Sequence, residues 1–203
     1  MIDRKNNKIT YTVTKEILGG VETFLKLGGV RNPRTMQETM KFVIETFDSK
    51  GTQIDKGYNA STTMTIANSI SELNVSSGSE LNGAITSLSW SMSIETSVLK
   101  NGDQISFKLP PDIRVPTNTT PVCRATSPNV LQISCTAVEN FLYVTFVEFK
   151  SEIETGTFTW VIDGIRNPVS TKPSGDFLSI QIKDEKNYVA LIYDKKMEPI
   201  QTT

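Results

Sequence analysis

Two stretches of this chain say nearly the same thing 135 positions apart. Gly29-Val30-Arg31-Asn32-Pro33 returns as Gly164-Ile165-Arg166-Asn167-Pro168. The same offset, without a gap, pairs Ile9-Thr10-Tyr11 with Val144-Thr145-Phe146, Leu25 with Trp160, Leu27 with Ile162 and Phe42 with Phe177. A run of matches held in phase over such a length predicts a tandem array, in which each unit stacks on its neighbours. Residues 1–58 are expected to be the C-terminal part of one repeat, residues 59–193 a complete repeat, and residues 194–203 the start of the next. A whole repeat is long enough to bury its own core, whereas the shorter fragment is marginal alone. No Gly/Ser-rich or Pro-rich linker marks the junction, so adjacent units are expected to abut.

Within this frame the hydrophobic pattern has period two. In residues 88–94, Leu88, Trp90, Met92 and Ile94 alternate with three serines. That is the pattern of a strand with one face in a core and one in water. Ile105, Phe107 and Leu109 alternate likewise, as do Phe158, Trp160 and Ile162. Further strands are expected at 8–14, 21–27, 40–47, 62–67, 130–135, 141–147, 177–183 and 188–193. Asn82-Gly83, Asn101-Gly102, Pro110-Pro111, Asp163-Gly164 and Asn167-Pro168 punctuate them as turns. No segment has helical periodicity. The predicted class is all-β: antiparallel immunoglobulin-like β-sandwich repeats in tandem, with a period of about 135 residues.

Composition narrows the function. Histidine is absent, which removes Ser-His-Asp and Cys-His nucleophilic sites, imidazole metal sites and the commonest general base. No catalytic set, metal site or cofactor is assigned, and the chain is expected not to be an enzyme. Net charge is −1 with both signs scattered, which disfavours nucleic acid, because phosphate binding needs clustered Lys and Arg. No apolar run is long enough to span a membrane, and the first residues lack the apolar core of a signal peptide. Serine and threonine together number 44, which suits wetted sheet faces or attached sugars.

Few residues invite a specific role. Cys123 and Cys135 are the only cysteines, and each lies six residues from Asn129. A hairpin turning there would place them opposite each other, within disulfide reach; closing so short a loop stabilises by about 2–3 kcal/mol. The competing reading is two buried thiols in a cytosolic protein. The disulfide reading implies an oxidising compartment, outside the cell or on its surface. Asn59, Asn74 and Asn118 each open an Asn-x-Ser/Thr sequon, with Asn118 in the most loop-like setting; plain surface asparagines are the alternative. In the repeated corner, Gly29 and Gly164 permit positive φ, while Asn32-Pro33 and Asn167-Pro168 end a strand. Arg31 and Arg166 would pair with a neighbouring carboxylate or, less economically, bind a ligand. Asp163, Asp184 and Glu185 lie near strand ends without the spacing of a calcium loop. Trp90 and Trp160 are expected to face each other or the disulfide in the core.

The order of these signals resembles a known group. The alternating strand at 88–94, Asn101-Gly102-Asp103-Gln104-Ile105-Ser106-Phe107-Lys108-Leu109-Pro110, the cysteine pair, the strand ending in Gly164-Ile165-Arg166-Asn167-Pro168 and Ser174-Gly175-Asp176-Phe177 are similar to the repeated Ig-like modules of very large cell-surface and extracellular proteins of ciliated protists. The resemblance covers residues 85–185, and residues 6–50 match its second half. It implies an exported, glycosylated structural protein forming fibrils or a surface coat, associating with neighbouring repeats or subunits. Residues 101–110 also resemble Ig-like domains of bacterial surface adhesins, whose modules rarely carry a cysteine pair. Three functions therefore stand: a structural repeat of a fibre or coat, an adhesin binding a protein or glycan ligand, and the non-catalytic module of an enzyme.

Overall fold

The computed structural model describes residues 2–3, 8–15, 17, 22, 24–29, 33–38, 41–60, 67–95, 97–117, 119–151 and 155–203. The chain divides into two compact units, Met1–Arg31 and Asn32–Thr203. All regular structure among the described residues is β.

In the first unit, β1 (Ile2–Asp3) and β2 (Lys8–Ile9) pair antiparallel. The strand expected at 8–14 therefore stops at Ile9. Of the strand expected at 21–27, the described residues form none, and Phe24, Leu25 and Leu27 are exposed. Their counterparts at the 135 offset lie in a strand flanked on both sides. Among the described residues no strand flanks Phe24, Leu25 and Leu27, and an apolar segment without strands beside it keeps its side chains in water.

Among the described residues the second unit holds twelve strands: β3 (Phe42–Phe47), β4 (Gln53–Ala60), β5 (Asn68–Ser69), β6 (Glu72–Ser77), β7 (Ile85–Ile94), β8 (Gln104–Lys108), β9 (Val122–Ala125), β10 (Val130–Val138), β11 (Phe141–Phe149), β12 (Gly156–Arg166), β13 (Leu178–Lys183) and β14 (Val189–Ile192). Ten of these build an immunoglobulin-like β-sandwich. One sheet has the order β10-β11-β8-β13-β14-β5, the other β6-β7-β12-β9. All neighbours are antiparallel except β14 and β5. Alternation decides which faces meet. Leu88, Trp90, Met92 and Ile94 of β7, and Phe158, Trp160 and Ile162 of β12, are buried, while the intervening β7 serines face away from the core. Against them lie Ile105 and Phe107 of β8, Val144 and Phe146 of β11 and Ile182 of β13. Trp90 and Trp160 are cross-strand partners, stacked at 6.0 Å; Trp90 meets Phe107 at 4.3 Å and Trp160 meets Phe146 at 6.2 Å across the sheets. These ring contacts add to an already large buried apolar area.

The tail packs back on the sandwich. Met197, Ile200 and Thr202 are buried, the Ser174 N–H donates to the Ile200 carbonyl at 2.9 Å, and the Thr203 N–H donates to that of Glu80 at 2.7 Å. Upstream, a strap at 33–38 is fastened to the sandwich. Thr35 is buried, and the Met36 N–H donates to the Val189 carbonyl at 2.8 Å.

The remaining two strands, β3 and β4, form a hairpin sheet of their own. Alternation at 40–47 anticipated β3. Nothing anticipated β4, whose Asp55-Lys56-Gly57 hides any pattern. Of the strand expected at 62–67, residues 62–66 lie outside the described residues, and Ala67 is buried but not in a strand.

Candidate functional site

The cysteines meet differently from the hairpin that sequence spacing suggests. Cys123 and Cys135 form a disulfide with a Cα–Cα distance of 5.8 Å. Yet Cys123 lies on β9, beside β12, and Cys135 on β10, beside β11. The chain changes sheets between them: the N–H groups of Thr126 and Ser127 both reach the Thr159 carbonyl, and the Lys150 N–H reaches that of Asn129. The bond is thus a staple between the two sheets, at the side where β9 and β10 are edges.

The second corner is a structural joint. Gly164 has φ +86°, and a Cβ there would lie 3.1 Å from the Thr119 methyl. Buried Asn167 donates from Nδ2 to the Ser79 carbonyl at 2.6 Å and the Leu81 carbonyl at 3.1 Å, and accepts from the Ser77 hydroxyl at 2.9 Å. The Pro168 carbonyl accepts from Gly83 N–H at 2.7 Å. Asn167 thereby satisfies the loop after β6, as a buried amide must. Arg166 exchanges backbone hydrogen bonds with Arg114, and its Nε is buried without a hydrogen-bond partner among the described residues. In the first corner, Gly29 has φ +72°; Arg31 and Asn32 lie outside the described residues, and Pro33 opens the strap.

Of the sequons, Asn74 is exposed on edge strand β6, its Nδ2 donating to Glu72 at 3.0 Å. Asn59 falls in β4 with its side chain outside the described set, and Asn118 lies outside it altogether. Asp163 pairs with Arg124 at 2.6 Å. No group of three or more His, Cys, Asp or Glu residues among the described residues is close enough together to hold a metal. A cleft of about 610 Å³ beside Ile70 is lined by short polar side chains together with charged Glu95, Asp194 and Lys195.

Two features escaped sequence reading. The first is an ion pair. Asp103, wholly buried, is gripped by the Arg34 guanidinium through both oxygens, Nη2–Oδ1 being 2.9 Å, and also accepts the Lys100 N–H at 2.9 Å. Burial pushes the Asp103 carboxyl above its ordinary range, against the pull of Arg34 and the Lys100 N–H. Surface-like charges 69 residues apart give no sequence signal.

The second is the build of the β3–β4 hairpin. Asp48 Oδ1 accepts the N–H groups of Lys50 and Thr52, and Gly51 has φ +84°. Asp184 Oδ1 accepts those of Lys186 and Tyr188, and Asn187 has φ +68°. The cross-strand pairs Glu45–Lys56, Thr46–Asp55 and Phe47–Gln53 correspond, 136 positions on, to Gln181–Ile192, Ile182–Leu191 and Lys183–Val189. Each hairpin has a register shift before the last pair, and β3–β4 has a second between Phe42 and Ile44. The extra residue relative to the 135 offset sits in the irregular stretch between Leu178 and Gln181, where Ser179 has φ +55°. The contrast is burial. Phe177, Ile180, Ile182, Ala190 and Leu191 are in the core, whereas Phe42, Val43, Ile44, Ile54 and Tyr58 are exposed.

The fold defines this unit as an immunoglobulin-like sandwich module stapled by one disulfide. No protein-family model matches the chain, and no curated protein matches it. Solved structures similar to it include a non-cellulosomal cohesin from the hyperthermophilic archaeon Archaeoglobus fulgidus, at 12% identity and TM-score 0.40, covering 66% of this chain and 92% of that one. A chain of a type I cohesin–dockerin complex from Clostridium thermocellum matches at 13% identity and TM-score 0.41, covering 69% and 99%. The major pilin subunit of Bacillus cereus matches at 11% identity and TM-score 0.37, covering 80% of this chain but 48% of the pilin. At these scores the likenesses carry no weight for function.

Proposed function

We propose that this chain is a structural segment of an extracellular fibre or surface coat, built from sandwich repeats and assembling through β contacts between repeats or subunits. The observation that carries this reading is the β3–β4 hairpin. It has the turn, register and shift of the hairpin that completes the sandwich, but among the described residues it joins no further strand. Together with the phased match of residues 9–42 to 144–177, it supports the end of one repeat running into the next. The inter-sheet disulfide fits an oxidising compartment, and exposed Asn74 offers a sugar attachment point there. The kinship with coat and fibril modules of ciliated protists belongs to the same proposal.

Sedimentation velocity and negative-stain electron microscopy of the full chain test it. Concentration-dependent, elongated oligomers are expected. A chain that stays monomeric while binding one glycan or surface protein at micromolar affinity would overturn the proposal in favour of an adhesin.

A further inference from the structure

The β13–β14 hairpin reveals what a hairpin of this build uses as its third strand. Along β13 runs β8, antiparallel, with Ser106 opposite Gln181, Ile105 opposite Ile182 and Gln104 opposite Lys183. The β3–β4 hairpin has no such strand among the described residues. A two-stranded hairpin with apolar side chains in water is marginal by itself.

Elsewhere the sandwich presents an open edge of matching kind. Strand β10 ends the six-stranded sheet and is paired, among the described residues, with β11 only. It is nine residues long, and its sequence Val-Leu-Gln-Ile-Ser-Cys-Thr-Ala-Val has no charge, proline or glycine. The other edges are shorter or carry a charge: β5 has two residues, β6 carries Glu72, and four-residue β9 carries Arg124. The β10 ladder is irregular at Leu131–Gln132 and regular from Ile133 to Val138, which is the stretch open to a new strand. Long uncharged edges are templates for further strands unless something blocks them. The disulfide at Cys135 anchors β10 to the opposite sheet, which keeps the template in place. Its Gln132-Ile133-Ser134 repeats the Gln104-Ile105-Ser106 that β8 offers to β13. In both strands the isoleucine is buried. Exposed Leu131 and Val138 add apolar area along the edge.

We infer that β3 of one molecule adds to the β10 edge of a second copy, with Glu45 opposite Ser134 and Thr46 opposite Ile133. Backbone bonds along the ladder supply affinity, and Ile44, set opposite Cys135 and on the same face as Ile133 and Ala137, supplies fit. Hairpin and edge are different surfaces, so the contact is heterologous and each molecule can both give and receive. This rests on the structural reading proposed above and names the surfaces that serve it.

Two full-length variants test the pairing. Ser134→Lys with Thr136→Lys changes two exposed positions of β10, and Ile44→Lys changes the exposed face of β3. Each should weaken self-association, read by sedimentation velocity, by about tenfold or more, as edge lysines do. Mixed, the two should form a heterodimer and nothing larger, since one intact hairpin then meets one intact edge. As a check independent of charge, mixing Glu45→Cys protein with Ser134→Cys protein should give a disulfide-linked heterodimer under mild oxidation. Association that survives the β10 change means hairpin against hairpin, and association that survives Ile44→Lys means edge against edge. Either result overturns the inference while leaving a self-assembling protein. A wild-type chain that remains monomeric overturns both.

Discussion

The β3–β4 and β13–β14 hairpins share a turn, a register and a shift, yet Ile44 is 61% exposed and its counterpart Ile180 is 4% exposed. The turn is local chemistry. An aspartate caps two backbone N–H groups, and a glycine or asparagine takes the left-handed position. Burial is not local. Strand β13 is completed by β8 on one side and β14 on the other, under the aromatic cluster of Trp90, Phe107 and Phe177. Five or six residues can therefore specify a hairpin, but only distant strands decide whether it lies in a core.

The sharpest way to break this comparison is to truncate both isoleucines. Ile180→Ala should destabilise the sandwich by about 3–4 kcal/mol, the range for a buried large-to-small change. Ile44→Ala should stay within about 0.5 kcal/mol, as surface changes do. Urea unfolding at concentrations too low for association measures both. Equal costs would mean that β3 is as well covered as β13.

The next effect concerns how the hairpin's strap is held. Arg34→Ala strands the buried Asp103 carboxylate and should cost about 3 kcal/mol near neutral pH, because an unpaired buried charge keeps its full desolvation penalty. In the wild type the folded Asp103 carboxyl titrates above its ordinary 3.8. Its contribution is therefore most favourable below that value and is lost as pH rises through the folded one. Without Arg34 the folded value rises further, so the deficit of the variant should shrink steadily as pH falls. A deficit independent of pH would show that packing of the Arg34 stem, rather than the ion pair, fastens the strap.

Much of the sandwich was legible because its central strands alternate cleanly. The alternation at 88–94 places Leu88, Trp90, Met92 and Ile94 in the core, and 105–109 and 158–162 do the same for the strands beside or across from it. The edge strands β6 and β9 escaped notice because each is short and turns only two small or medium side chains inward, Leu73 and Val75 in one, Cys123 and Ala125 in the other. The cysteine pair could be read, but not its route. Spacing around Asn129 suits a hairpin equally well, and only the crossing from β12's side to β11's makes the bond a staple. The likeness of the two hairpins does not show at the 135 offset, because their matching pairs lie 136 positions apart, beyond the irregular stretch at Ser179. Arg34 and Asp103 were invisible because charge alone does not say which carboxylate will be buried.

The smallest effect separates the turns themselves. Asp184→Ala removes two capping hydrogen bonds from a hairpin whose strands are in the core, and should cost the sandwich about 1 kcal/mol. Asp48→Ala removes the same bonds from the exposed hairpin. Global unfolding should not register it, while backbone chemical shifts of residues 42–60 should move towards unfolded values. Protonation mimics that change. Bonds from the Thr52 N–H above all, then from the Lys50 N–H, hold the Asp48 carboxyl below its ordinary 3.8. Its contribution is thus present above 3.8 and lost as pH falls through the folded value, the reverse of Asp103. An acid titration followed by NMR should show β3–β4 loosening while the sandwich signals hold. Simultaneous loss of both would mean that the hairpin unfolds only with the sandwich, and that the two regions differ in exposure but not in cooperativity.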